Sequence, residues 1–248
     1  MATNEAPASF GGLIFKRASL PSPASSTTYG AWPNQKTSRG IAGDASLVGE
    51  HVVRGNYTPE IRFSLNQSQN FMPALNVTRN SRLPSGAVQL AWQPIANARA
   101  YFGFLVGEAK DGTVILWTSS NAKTFIGSAG DFMDASEINR LLGQKALLTP
   151  QQTQCAVPAE VVRAVGENGM FHFTAYGPEA NFSYPPKPSG NAPWNVEWTA
   201  KLLTKSAYVG VLGMSMSDMM GDDDTDEAEE EKPEKKKKGM GGFLKKVL

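Results

Sequence analysis

From residue 45 onward the chain alternates short apolar runs with turn chemistry. Leu47, Val52 and Val53 open the series, and Ile61, Phe63 and Leu65 then alternate with Arg62 and Ser64. That period of two predicts a half-buried strand. Val88, Leu90 and Trp92 share one face of a following strand, with Gln89 and Gln93 on the other and Pro94 ending it. Residues 101–106, YFGFLV, are apolar on both faces, which is how a central strand reads when one face meets the core and the other a covering segment. Lys110-Asp111-Gly112 predicts a turn, because glycine tolerates the positive φ that tight connections need, and residues 114–117 return as a strand. Residues 86–120 thus form the predicted structural centre, and packing alone accounts for Trp92 and Trp117.

Further on, Asp134, Glu137 and the spacing of Ile138, Leu141 and Leu142 predict one short helix, with Asp134 capping, Glu137 reaching back to it and Gly143 ending it. Cys155 to Val157 resumes extended structure, and Phe171, Phe173 and Ala175 alternate with His172, Thr174 and Tyr176. Pro185, Pro186, Pro188 and Pro193 predict a stiff surface loop. A last strand is expected over residues 196–202, with Val196, Trp198, Ala200 and Leu202 inward.

The residues Leu90-Ala-Trp92-Gln-Pro94, then Tyr101, Gly112 and the run TVILWTSS, resemble the B, C and C′ strands of a fibronectin type III or immunoglobulin-like sandwich. Phe171 to Gly177 is similar to the F strand of such domains, and the run CAVPAEVV resembles the strand and corner before it. The resemblance covers about residues 85–214 and implies an all-β sandwich with one short helix, a fold that hosts adhesion, recognition and structural roles. The helix at 134–142 and the length of the domain exceed the minimal sandwich of about 100 residues.

Composition adds an arrangement to this. Residues 1–45 are rich in Ser, Pro, Thr, Gly and Ala without a sustained period and predict a mostly extended arm. Within it, Phe10, Leu13, Ile14 and Phe15 offer an apolar patch suited to joining a sheet edge, and Trp32 an anchor. The sandwich is expected over 46–214, a Met-rich then charged linker over 215–238, and a short amphipathic peptide over 239–248. The formal net charge of +1 conceals segregation. Nine of the 23 acidic residues lie in 222–234 and seven of the 24 basic ones in 232–248, so the remainder is near neutral and gives no argument for a nucleic-acid partner. The first 23 residues lack a basic stretch followed by a continuous apolar one, so no secretory signal is expected. The single cysteine, Cys155, fits a reducing, cytoplasmic setting.

Candidate chemistry is sparse. A cysteine nucleophile needs a histidine and an orienting third group, and His51 and His172 are the only histidines. Cys155 sits in an apolar strand-like context and reads as a small buried hydrophobe. Three N or S ligands across 120 positions do not make a zinc site, and Asp222, Asp223, Asp224 and Asp226 lack the glycine turn and closing glutamate of a calcium loop. No cofactor or metal is expected. Met214, Met216, Met219 and Met220 are soft thioether ligands that suit Cu(I), though clustered methionine equally suits an adaptable apolar contact. A non-enzymatic interaction or scaffold protein is therefore expected. The alternatives are a hydrolase using Cys155 or an unrecognised carboxylate, and Cu(I) binding by the Met214 to Met220 cluster.

The tail carries the strongest functional pattern. An acidic block that repels itself precedes Lys235, Lys236, Lys237 and Lys238, and Phe243, Leu244, Val247 and Leu248 follow with Lys245 and Lys246 among them. In a helix, Leu244, Val247 and Leu248 share one face with the lysines off it. Such a short peptide orders only on binding. Two targets suit it. One is an anionic membrane surface, which attracts each lysine by about 1 kcal/mol; the other is a groove on a partner protein.

Overall fold

The computed structural model describes residues 16–19, 22, 24–32, 41–56, 58–122, 131–166 and 169–214. The strands are β1 (Gly49–Gly55), β2 (Thr58–Leu65), β3 (Val77–Arg82), β4 (Val88–Trp92), β5 (Ala100–Glu108), β6 (Val114–Thr118), β7 (Gln154–Val157), β8 (Met170–Tyr184) and β9 (Trp198–Val211). Two helices interrupt them, α1 (Ala135–Gly143) between β6 and β7 and α2 (Ala159–Val165) between β7 and β8. All strand pairs are antiparallel, in a hairpin β1-β2, a three-stranded sheet β3-β4-β7 and a four-stranded sheet β6-β5-β8-β9.

The alternation seen in the sequence sets what faces what. Val88, Leu90 and Trp92 of β4 and Val157 of β7 enter one cluster with Tyr101, Leu105, Phe171 and Phe173 of the four-stranded sheet, so the two sheets share a core. Trp92 meets Phe173 edge-on at 4.4 Å, and Tyr101 stacks on Phe173 at 5.9 Å. The second apolar face of β5 is covered as expected: Ala100 and Phe102, with Tyr176 of β8, lie under Ile138 and Leu141 of α1. The β5-β6 turn falls where glycine was placed for it, with Gly112 at φ +84° and its N–H donating to the Ala109 carbonyl.

Four expectations change. The fold has two helices rather than one. Pro158 fixes the φ that starts α2, Val162 and Val165 recur at helical spacing and enter the core, and Gly166 at φ +63° ends it. The last strand is longer than residues 196–202 and starts later. Val196 is exposed, and β9 runs from Trp198 to Val211 opposite β8. A bulge between Tyr176 and Glu179 shifts the register and breaks the two-residue period that defines a strand by pattern. Gly143 is the last helical residue rather than the stop, and the left-handed position falls on Lys145 at φ +57°. Asp134 occupies the N-cap of α1 without a side-chain bond to it, and Glu137 does not reach back.

Parts of the arm touch the domain. The Lys16 N–H donates to the Glu137 carboxylate at 3.0 Å, the Ala18 N–H to the Phe132 carbonyl at 2.8 Å, and Trp32 lies 6.5 Å from Phe71. The patch at Phe10, Leu13, Ile14 and Phe15 lies outside the described residues.

Candidate functional site

Cys155 is half-buried on β7, opposite Leu90, against the shared core. Burial pushes its thiol up to about 12, so at neutral pH it stays protonated and is a poor nucleophile. The histidines belong to the other two sheets. His51 stacks on Phe63 with its Nε2 2.6 Å from the Leu47 carbonyl oxygen. His172 is exposed on β8, on the face opposite Phe171 and Phe173. The fold therefore does not assemble these three residues.

It does assemble a cluster of charge at the start of α1. Asp134 turns away from the helix because its carboxylate accepts from Lys201 Nζ at 2.6 Å, and Lys201 also lies 3.4 Å from Glu179. Glu179 then does what Asp134 was expected to do: its Oε2 accepts from the Ala135 N–H at 2.7 Å, capping α1 from a strand 44 residues away. Glu137 is nearly fully buried and holds Arg140 at 2.6 Å. Each carboxylate thus ties α1 to β8, β9 or the arm.

These ties set an acid limit. The Arg140 guanidinium holds the Glu137 carboxyl below the ordinary 4.5, against burial that pushes it up, and the Lys16 N–H adds to the lowering. Burial alone would raise Glu179, but the Ala135 N–H, the Asn181 amide and Lys201 together lower it. Both folded values lie below their unfolded ones. Their stabilisation is therefore complete above 4.5 and is lost as pH falls through the lowered values. Thermal melts from pH 6 to pH 2 are expected to show the midpoint falling below about pH 4.5, with a shallower fall in Glu179→Gln. A Glu179→Gln curve parallel to the parent's would remove Glu179 from that limb.

The docking residues Lys235, Lys236, Lys237, Lys238, Phe243, Leu244, Lys245, Lys246, Val247 and Leu248 lie outside the described residues, as do Met216, Met219 and Met220. Met214 is described: its carbonyl accepts from Asn80 Nδ2 at 2.7 Å, just past the end of β9. Among the described residues no group of three or more His, Cys, Asp or Glu is placed to hold a metal ion, and no helix is long and apolar enough to cross a membrane.

One concave surface was not foreseen in the sequence. The hairpin β1-β2 lays Phe63 on Phe182 of β8, rings 4.9 Å apart, and beside this contact runs a shallow groove of about 380 Å³. Arg62, Phe63 and Ser64 of β2 form one wall, Asn181, Phe182 and Ser183 of β8 the other, and Pro186, Lys187 and Trp198 close the end. The proline-rich loop is pinned there. Tyr184 stacks on Trp198, Trp194 Nε1 donates to the Pro185 carbonyl at 3.1 Å, and Lys187 Nζ lies 5.8 Å from the Trp194 ring. The prolines signalled a stiff loop, but no local pattern signals a groove between strands over a hundred residues apart. Comparison with protein-family models, with curated proteins and with solved structures finds no match.

Proposed function

We propose that this chain is a non-enzymatic interaction or scaffold protein built on an immunoglobulin-like sandwich of the fibronectin type III kind, with the C-terminal peptide as a docking element. The observation that carries this reading is the use made of the gathered charged side chains. Asp134, Glu137, Glu179, Arg140 and Lys201 clamp α1 to the sheet, a structural use that leaves no poised acid and base among them. The sheet order supports the fold assignment. With β3, β4 and β7 as strands A, B and E, and β6, β5, β8 and β9 as C′, C, F and G, the two sheets fall in the order such a sandwich has. The hydrolase alternative loses its one specific residue, because the Cys155 thiol is held protonated.

The tail adds the docking. Six lysines around four apolar side chains between residues 235 and 248 suit an anionic lipid surface or an apolar groove on a partner. The test compares the full chain with one ending at Glu234, in co-sedimentation with phosphatidylserine-containing and phosphatidylcholine vesicles and in pull-downs. The full chain is expected to sediment with the anionic vesicles in a salt-sensitive way, or to retain a partner that the truncated chain loses. Identical behaviour of the two proteins in both assays would reject the docking role.

A further inference from the structure

The groove between β2 and β8 has features the tail does not use. Three consecutive residues of each strand line it. Side chains in a strand alternate between faces, so three in a row can line one space only if the backbone edge of the strand borders it. Both edges lack a ladder partner among the described residues. β2 pairs only with β1, and β5 leaves β8 at Tyr176, so residues 179–184 of β8 pair only with β9. An edge of this kind presents unpaired N–H and C=O groups that accept another strand. The aromatic wall takes apolar side chains of such a strand, and the charged residues lining the groove, Arg62 and Lys187, are both cations.

We propose that this groove binds an extended acidic peptide segment of a partner protein by strand addition along residues 179–184. Alternate apolar side chains of the peptide lie on Phe63, Phe182 and Trp198, and its carboxylates meet Arg62 and Lys187. The backbone edge supplies length-dependent affinity, and the two cations select for charge. The proposal deepens the interaction reading and rests on it, while remaining independent of the tail.

The test uses the full chain and fluorescein-labelled peptides of about ten residues alternating valine or tyrosine with glutamate. Controls are the same peptides with lysine for glutamate, or with proline for alternate valines, and an oligothymidylate. The acidic peptide is expected to bind, by fluorescence anisotropy, about tenfold or more tightly than any control. Binding is expected to weaken about tenfold or more in the Arg62→Glu/Lys187→Glu variant, and to protect amides of residues 181–183 from hydrogen exchange. Both substituted side chains are exposed, and an unchanged melting midpoint verifies the variant's fold. Absence of binding overturns the proposal, as does equal binding of the lysine or proline peptide, preference for the oligonucleotide, or unchanged affinity in the variant. Failure here with salt-sensitive vesicle binding intact would refute the groove and spare the docking tail; peptide binding without vesicle or partner binding would do the reverse.

Discussion

Phe173→Ala is expected to destabilise the domain by about 3–5 kcal/mol, the cost of emptying a buried aromatic site. Phe173 is 1% exposed and is the ring that Trp92, Tyr101 and Phe171 all contact, at 4.4, 5.9 and 5.7 Å. Its removal opens a cavity where the two sheets meet and forfeits three aromatic contacts at once. Collapse is resisted, because Tyr101 is held by a bond its Oη accepts from the buried Ile95 N–H at 3.0 Å. Typical domains are stable by about 5–15 kcal/mol, so this one substitution removes a large share. Urea denaturation gives the measurement, with His172→Ala as the control: His172 is exposed on the same strand and its loss is expected to fall within about 0.5 kcal/mol. Equal effects at 172 and 173 would mean that the core is not where the two sheets meet.

That contrast was legible from the sequence. Val88, Leu90 and Trp92, and Phe171, Phe173 and Ala175, alternate without interruption, and each set enters the core together. The doubly apolar run 101–106 correctly implied a cover over its second face, which α1 supplies. The expectations that failed share a physical origin: long-range contacts replaced local ones. Asp134 has the right residue type and spacing for a capping box, yet Lys201 captures it and Glu179 caps in its place. The run AEVVRAV reads as the end of a strand until Pro158 and the core turn it into α2. The groove depends on where the β1-β2 hairpin lies against β8, and neither strand's own pattern encodes that placement. For the tail the sequence remains the whole argument, since residues 215–248 lie outside the described ones.

The bulge that hid the full length of β9 also supplies the second large effect. Gly177 sits within the register shift between Tyr176 and Glu179 and is buried. A methyl group built on it would overlap Thr204 Oγ1 and lie 2.6 Å from Met72 Sδ and 3.0 Å from the Thr204 carbonyl oxygen. Gly177→Ala is therefore expected to cost about 1–3 kcal/mol through overpacking, even though alanine loses less backbone entropy than glycine on folding. Part of the obstruction is a side chain that can be removed. Thr204 Oγ1 is buried and has no hydrogen-bond partner, so Thr204→Ala alone is expected to be within about 1 kcal/mol of neutral, because it deletes an unsatisfied hydroxyl. In the Gly177→Ala background the same change should restore stability. The coupling between the two sites is then favourable by about 0.5–2 kcal/mol, while the carbonyl contact keeps the rescue incomplete. A double-mutant cycle read by urea denaturation measures it directly. Strictly additive effects would show that strand β9 moves aside as a unit, and that the close approach at Gly177 does not hold the bulge in place.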